Sequence, residues 1–508
     1  MIQNRFQNQV TARLLLLACS VLLYVLLLYI RSLQANLEFG DIVFLDPITS
    51  VFISHSVSLN ADQLRWLSYV VFLGISALYG LMLYYLSKQR LLLPHSFFGW
   101  VILPYLVLGA VILLLYPHIS RPTDTADYAV HARVQWQFHQ NPYVVAGGEY
   151  ADQSPLARFM EAKTRPSVYG PAWQIMTLPS LIAQDNILSS ILIFKAMFFL
   201  MGLGCLVLAF FYSPSQNSAI HAERIFAAAA VAWNPLLLLI AIGQGHNDIA
   251  MALFIALALA ALSFRRPLMG YASLILSALV KFISLPLLLP VTVLVYRDAA
   301  FGTVSQRRKL IILGLLVSVV FGSLLVLPYG PLAISATISS RYAGLVGTDG
   351  VSKIALLASL LNRLLLALGL SLAPDLIARS AALLLPSLWL GVVLVRSNSV
   401  RSLNHLVKVL IESFLVYLTM VALPVHAQYA ITPVVLLGFL YAGRWHFFAT
   451  ICVSLALVWD ALFLVYIPDT YPLWEAILHQ LSHSIALFIF VLFVCLLVFQ
   501  SARRWITA

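Results

Sequence analysis

The sequence predicts an all-α fold, a polytopic transmembrane helical bundle, on the strength of two observations. First, 62% of the 508 residues are hydrophobic and only 10% are charged, too few charges to cover the surface of a water-soluble protein of this length. Second, the hydrophobic residues fall in blocks of roughly 17 to 25, the length of a helix that crosses a hydrocarbon core about 30 Å thick. We therefore expect about 11 to 14 spans, forming a single integral membrane domain over residues 1–508.

The first apolar block, residues 14–30, follows Arg5 and Arg13 in the way that the core of a secretory signal follows its basic region. It is longer than a usual signal core, and no cleavage site of small residues follows it, so we interpret it as a retained first span. The four cysteines also lie in apolar blocks, with no CxxC pair. Their positions predict neither a disulfide framework nor a metal site.

Basic residues between the blocks orient the spans. The formal net charge is +11, but the lysines and arginines occupy short loops and form no continuous face. This distribution is typical of positive-inside topology, and we expect no nucleic-acid partner. Placing the basic loops in the cytoplasm also puts both termini there. The predicted spans are residues 11–30, 66–87, 97–116, 188–212, 225–241, 248–264, 309–328, 377–396, 405–424, 428–441, 446–466 and 480–500.

Two further apolar segments do not fit this frame as simple spans. Residues 268–296 have basic residues at both ends and Lys281 in the middle, which predicts a short helical hairpin that turns near Lys281 on the outer side. Residues 353–372 contain two basic residues and an asparagine. Counting them as a span would reverse the orientation of the helices that follow, so we expect an interfacial or re-entrant helix there.

Three long polar segments fall on the outer side, and the second of them, which we call the outer loop, is the most informative. Within it, Val130, Val134 and Phe138 form an apolar stripe opposite Arg133, which predicts a helix lying along the membrane surface. Pro142 ends this helix. The three segments are residues 31–65, 117–187 and 329–352.

Polar side chains gather near the outer ends of the predicted spans. Such groups cost several kcal/mol at membrane depth unless they line a water-filled or ligand-filled cavity. Carboxylates beside cations at this boundary suggest a ligand-binding site. The ligand they favour is a phosphate-bearing amphiphile whose head group lies on the outer side. The residues concerned are Asp124, Asp127, His246, Asn247, Asp248, Lys281, Tyr329, Arg341, His426, Gln428 and Tyr429.

These residues also have purely structural interpretations, which the sequence leaves open. The two Asn-Pro steps, at 141–142 and 234–235, are typical of turns and kinks. The other structural interpretations are a helix cap for Asp124, Asn247 or Asp248, an interfacial position for His246, a surface-directed ammonium for Lys281, and solvation of the loop helix by Asp127.

Several short motifs occur in a fixed order between residues 115 and 290. They are Asp124-Thr-Ala-Asp-Tyr128 with Arg133, then Asn141-Pro142-Tyr143, Tyr169-Gly170-Pro171, Trp233-Asn234-Pro235, Gly245-His246-Asn247-Asp248 and Val280-Lys281. In order and spacing the set resembles bacterial GT-C class polyprenyl-phosphate-mannose-dependent α-mannosyltransferases of the lipoglycan type. The resemblance predicts a GT-C-like module over residues 1–330, with residues 331–508 as more variable helices. Many relatives have Asp-Gly where this chain has His131-Ala132, so a second carboxylate after Tyr128 is missing.

The resemblance implies an inverting hexosyltransferase, with mannose as the expected sugar. An acceptor hydroxyl would attack the anomeric carbon while polyprenyl phosphate leaves from the opposite face. That reaction needs a carboxylate to take the hydroxyl proton, and Asp124 is the candidate catalytic residue. It also needs groups that stabilise the departing phosphate, and the candidates for binding donor and phosphate are Lys281, His246, Arg133 and Arg341. The candidate substrate-binding residues are Asp127, Tyr128, Asn141, Tyr143, Tyr169, Asn247, Asp248, His426 and Gln428.

The partners expected from this interpretation are membrane lipid, a polyprenyl-phosphate sugar donor, and a glycolipid or glycan acceptor. No nucleotide-binding motif is present, and no cofactor is expected; the sequence assigns no metal ligand and leaves a divalent metal requirement open. The expected location is the plasma (inner) membrane, multi-pass, with an extracytoplasmic active site within residues 117–187. The alternatives are a transporter or flippase of lipid-linked sugars, which predicts inverted repeats, and a non-catalytic assembly partner.

Overall fold

The computed structural model describes residues 2–39, 60–88, 97–115, 124–150, 152, 154–160, 163–183, 186–212, 218–330, 374–421, 426–440 and 444–464. All regular structure in these ranges is helical, which confirms the all-α prediction. The α-helices are α1 Ile2–Phe39, α2 Ala61–Lys88, α3 Leu103–Leu115, α4 Asp124–Trp136, α5 Pro171–Met176, α6 Ile187–Phe211, α7 Ser218–Ala232, α8 Asp248–Ser263, α9 Pro267–Val280, α10 Leu288–Arg297, α11 Val304–Val326, α12 Pro374–Ser397, α13 Leu403–Met420, α14 Ile431–Leu437 and α15 Arg444–Leu464.

Several of these helices are long and apolar enough to cross a membrane. Five pass this test within the described residues, and a bent pair, Ala222–Ala232 with Leu236–Gly245, makes a sixth candidate with a bend of 44°. Shorter apolar helices, including α8 and α9, pack beside them. The chain is therefore a membrane protein. The predicted segments 353–372 and 480–500 lie outside the described residues.

Helix α4 forms in the predicted segment, but it ends at Trp136 and not at Pro142, and its predicted exposure is also wrong. Val130 and Val134 are fully buried, and Arg133, on the face expected to be polar, is only 2% exposed. The helix is enclosed by α6, by the short helix Leu178–Ala183 and by the loop helix Pro155–Phe159. Arg133 tolerates burial because its guanidinium donates a hydrogen bond to Ser154 Oγ at 2.7 Å. Thus α4 is enclosed by other helices and does not present a polar face to solvent.

The bend after α7 is produced by the second Asn-Pro step. Pro235 cannot donate a backbone hydrogen bond, and a π-helix, Leu236–Gly245, continues the chain. The side-chain oxygen of Asn234 accepts the Leu236 N–H at 2.9 Å, and its amide donates to Tyr79 Oη and Ser454 Oγ. Asn234 therefore has the structural role that is typical of an Asn-Pro step.

The first Asn-Pro step also anchors a turn. Asn141 Oδ1 accepts the N–H of Tyr143 at 3.0 Å, and Asn141 Nδ2 donates to the Tyr329 carbonyl at 3.0 Å. Gln135 Nε2 donates to Tyr329 Oη at 2.6 Å, and the rings of Tyr143 and Tyr329 pack edge to face. The outer loop is thereby tied to the end of α11.

Helices α8 and α9 form a hairpin whose open end carries the candidate site. Asp248 is the first residue of α8, and Lys281 directly follows the last residue of α9. At the closed end, Arg265 pairs with Asp298 at 2.9 Å. The rise of α8 separates the two ends by about 24 Å. The backbone leaves the helical conformation at Lys281 (φ −145°, ψ 120°), which confirms the predicted break there.

Three of the C-terminal helices share a buried ion cluster. Glu412 on α13 is 2% exposed and accepts two hydrogen bonds from the Arg396 guanidinium of α12, at 2.5 and 2.7 Å. His446 of α15 contacts the same carboxylate at 2.7 Å. Because a buried carboxylate is costly without such partners, this cluster links α12, α13 and α15.

Candidate active site

Asp124, the first residue of α4, contacts two side chains through one carboxylate oxygen. Its Oδ2 lies 3.0 Å from His246 Nδ1 and accepts a hydrogen bond from Tyr128 Oη at 3.2 Å. The spacing of four residues places Tyr128 one helical turn below Asp124. Tyr128 Oη in turn accepts the N–H of Asn247 at 3.2 Å. These bonds join the start of α4 to the Gly-His-Asn-Asp segment that precedes α8.

The surroundings of Asp124 favour its ionised form. Burial by itself would raise the pKa of this carboxyl. The hydrogen bond and charge of His246, the charge of Lys281 and a hydrogen bond from Tyr169 together outweigh burial and hold the pKa below its ordinary value. About 14% of the side chain remains exposed. Asp124 is therefore a carboxylate at neutral pH and is open to a ligand.

Gly245 allows His246 to reach Asp124. Its φ of +80° lies in the left-handed region, which residues with a side chain rarely adopt. A Cβ atom at this position would come within 2.5 Å of Thr125 Cγ2, so a side chain would also push α4 away. The glycine thus ends the π-helix and brings His246 against the first turn of α4.

Lys281 and Asp248 form a second, more deeply buried pair. Lys281 Nζ lies 2.5 Å from Asp248 Oδ2, with the side chains 8% and 1% exposed. The ammonium also lies 5.6 Å from the centre of the Tyr429 ring, within range of a cation–π interaction. Because Lys281 is buried and paired with Asp248, the interpretation that its side chain merely extends to the membrane surface is excluded.

The Tyr-Gly-Pro motif docks on the end of α9, beside Lys281. The N–H of Gly170 donates to the Val280 carbonyl at 3.1 Å. A Cβ atom on Gly170 would lie 2.0 Å from the Leu279 carbonyl oxygen, a backbone atom, so only glycine permits this approach. Tyr143 Oη donates to the Tyr169 carbonyl at 2.7 Å, and the Tyr169 ring packs edge to face on Tyr128.

His426 completes the cluster from the loop between α13 and α14. It is exposed, yet it lies near enough to Asp124, His246, Lys281 and Asp248 for their charges to act on its pKa. Loss of hydration is the largest influence and lowers the pKa of His426. Gln428 lies two residues further on, in the turn Ala427–Ala430, and is half-buried.

The remaining candidates lie elsewhere. Arg133 is nine residues beyond Asp124 on α4, about 13 Å along the helix axis. Asp127 is buried on α4, next to Tyr128. Asn141 and Tyr143 lie at the turn that is anchored to Tyr329. Arg341 lies outside the described residues.

Asn247 does not act as a side-chain cap. It occupies the N-cap position of α8, but its side chain makes no capping hydrogen bond. Within the described chain, neither polar atom of this buried carboxamide has a hydrogen-bond partner. Asp248 Oδ1 is likewise buried without a hydrogen-bond partner among the described residues. Unsatisfied buried polar atoms therefore cluster beside Lys281, where a ligand would satisfy them.

Sequence reasoning missed one contact in the cluster. Gln244 Oε1 lies 3.3 Å from His246 Nε2, so each ring nitrogen of His246 faces an oxygen atom. The sequence did contain a signal for this contact: Gln244 is a polar residue between two glycines in an otherwise apolar helix.

Comparison with known families gives a match over the same part of the chain. Residues 43–297, half of the 508-residue sequence, match the MptA_B family, described as alpha-(1->6)-mannopyranosyltransferase, N-terminal domain. The matched region contains every motif from Asp124 to Lys281. No curated protein and no solved structure matches the chain.

Proposed function

This chain belongs to the MptA_B family of mannosyltransferases, and from that premise we propose that it transfers mannose from a polyprenyl-phosphate-linked donor to a hydroxyl group of a glycolipid or glycan. The enzyme would be of the inverting GT-C type, in the inner membrane, with about 11 to 14 spans and its active site on the extracytoplasmic side. The observation that carries the proposal is the convergence of a partly exposed carboxylate, Asp124, and a buried lysine, Lys281, in one cluster.

Asp124 and Lys281 match the two ends of the transfer reaction. As the acceptor oxygen forms its bond to the anomeric carbon, its proton passes to the Asp124 carboxylate. The bond between the anomeric carbon and the phosphate oxygen breaks, and its electron pair stays on the phosphate. Lys281 stabilises the negative charge that develops there. Attack and departure occur on opposite faces of the sugar, so the anomeric configuration inverts.

His246 is better placed to orient the base than to bind phosphate. Its Nδ1 lies 3.0 Å from Asp124 Oδ2, the oxygen that also accepts from Tyr128. Tyr169 also hydrogen-bonds this carboxylate, so three side chains fix its position. We therefore propose that His246 and Tyr128 hold the carboxylate for attack, in place of the phosphate contact expected for His246.

The direct test is transfer by the purified protein. Incubation with polyprenyl-phosphate mannose and a membrane lipid extract should give a product heavier than an extract lipid by one hexose, with free polyprenyl phosphate released in equal amount. Polyprenyl-phosphate glucose serves as the matched donor control. If lipid-linked sugar is moved across vesicles without any hexose transfer, the chain is a transporter.

The proposed orientation gives a second prediction. Glu149, in the outer loop, and Arg266, at the closed end of the α8–α9 hairpin, are both exposed. In a background without native cysteines, Glu149→Cys should react with an impermeant thiol reagent in whole cells, whereas Arg266→Cys should react only after the membrane is permeabilised. The reverse pattern would place the site in the cytoplasm and contradict the proposed lipid-linked donor outside.

A further inference from the structure

The Lys281–Asp248 pair leaves the proposed phosphate-binding cation already neutralised before any donor arrives. Lys281 Nζ is 2.5 Å from Asp248 Oδ2, and both side chains are more than nine-tenths buried. An ammonium has three N–H donors, so this contact occupies one and leaves two. A donor phosphate therefore shares Lys281 with a fixed carboxylate.

The charge on the phosphate changes during the proposed reaction. In a polyprenyl-phosphate sugar the phosphate is a diester with a single negative charge. After transfer it is a monoester, which carries roughly −1.5 to −2 at neutral pH. Lys281 without a counter-ion would bind this product more tightly than the donor, because attraction grows with the charge of the ligand.

The surroundings of Asp248 do not fit a residue whose only role is to stabilise the fold. A buried ion pair contributes to stability only when the remaining lone pairs of the carboxylate are also satisfied. Among the described residues, Asp248 Oδ1 has no hydrogen-bond partner, and the neighbouring Asn247 carboxamide has none either. A structural ion pair elsewhere in the chain differs: both oxygens of Glu412 are bonded.

We propose that Asp248 is a positioning residue that competes with phosphate for Lys281. It orients the ammonium towards the donor, and it takes the ammonium back after transfer, so that spent polyprenyl phosphate leaves. This inference rests on the proposed function, because it concerns the release of that reaction's product.

Product inhibition is the test, with farnesyl phosphate as a soluble polyprenyl phosphate. Asp248→Asn removes the competing charge and retains the shape of the side chain. The inhibition constant for farnesyl phosphate should fall about tenfold, the size of one added charge-assisted interaction. Asp298→Asn is the matched control, since it removes the carboxylate of an ion pair at the closed end of the hairpin. It should leave product inhibition unchanged.

A second comparison separates competition for Lys281 from simple repulsion of phosphate by a carboxylate. In the Lys281→Met background no ammonium is left to compete for, so adding Asp248→Asn should change binding of farnesyl phosphate much less than it does when Lys281 is present. If Asp248→Asn does not fold, Asp248→Ser, which leaves room for a water molecule beside the ammonium, takes its place. Unchanged or weaker product binding in the folded Asp248 variant, or an equal strengthening in the Lys281→Met background, would overturn the inference. Absence of hexose transfer by the wild-type protein would instead overturn the proposed function.

Discussion

Replacement of Asp124 by asparagine should lower turnover by roughly 10² to 10⁴-fold, the usual effect of losing a general base. Asparagine has nearly the same size, and its oxygen can still accept hydrogen bonds from His246 and Tyr128. It is also as good a helix N-cap as aspartate, so a structural role for Asp124 predicts little change. What the amide cannot do is take a proton from the acceptor hydroxyl. The measurement is turnover in detergent with polyprenyl-phosphate mannose and a purified acceptor.

The control for Asp124 is the neighbouring carboxylate on the same helix. Asp127 is buried, whereas about 14% of the Asp124 side chain is exposed, and Asp124 alone of the two contacts His246. Asp127→Asn should therefore cost much less turnover. Donor binding should be largely retained in Asp124→Asn, because the lost interaction belongs to the transition state. Near-normal turnover in Asp124→Asn, or a larger loss in Asp127→Asn, would show that the base is assigned wrongly.

Helix positions were largely predictable because apolar blocks are local features of a sequence. The predicted segment 248–264 corresponds to α8, Asp248–Ser263, and 188–212 corresponds to α6, Ile187–Phe211. The break at Lys281 was also predictable, since a lysine in the middle of an apolar run cannot remain in lipid without a partner. In each case the information lies within about 20 neighbouring residues, the length of one span.

The surroundings of α4 depended on residues far away in the chain. Its stripe of Val130 and Val134 is the same for a helix on a membrane and for one inside a bundle. What decides between them is Ser154, which pairs with Arg133, and the helices that cover the polar face. A local pattern contains no such information, so the predicted exposure of the polar face was wrong.

The pairings within the site were also beyond local reasoning. The polar motifs were expected to gather at the outer boundary of the membrane; most of them meet in one cluster, and its side of the membrane stays a prediction. The sequence did not indicate that His246 would contact Asp124, 122 residues away, or that Lys281 would contact Asp248. The contact of His246 depends on Gly245, and Gly170 lets the Tyr-Gly-Pro motif approach the end of α9 beside Lys281. These contacts also change the expected results of mutation.

Lys281→Met should weaken the fold as well as the reaction. The substitution leaves the Asp248 carboxylate buried, 1% exposed, without its counter-ion. Removing one partner of a buried pair typically costs about 3–5 kcal/mol. We therefore expect a clear drop in the melting temperature of the purified protein. Asp248→Asn, added to Lys281→Met, removes the uncompensated charge and should restore most of the loss.

The kinetic effect of Lys281→Met should survive this restoration of stability. Loss of the cation that stabilises the departing phosphate should reduce kcat/KM for the lipid-linked donor by about 10² to 10³-fold, comparable with the loss of a group that stabilises transition-state charge. The double variant Lys281→Met/Asp248→Asn should fold nearly as well as the wild type and still transfer mannose slowly, because no cation has been returned to the phosphate. Recovery of normal kcat/KM in the double variant would mean that Lys281 serves only to neutralise Asp248, and another cation would have to stabilise the leaving group.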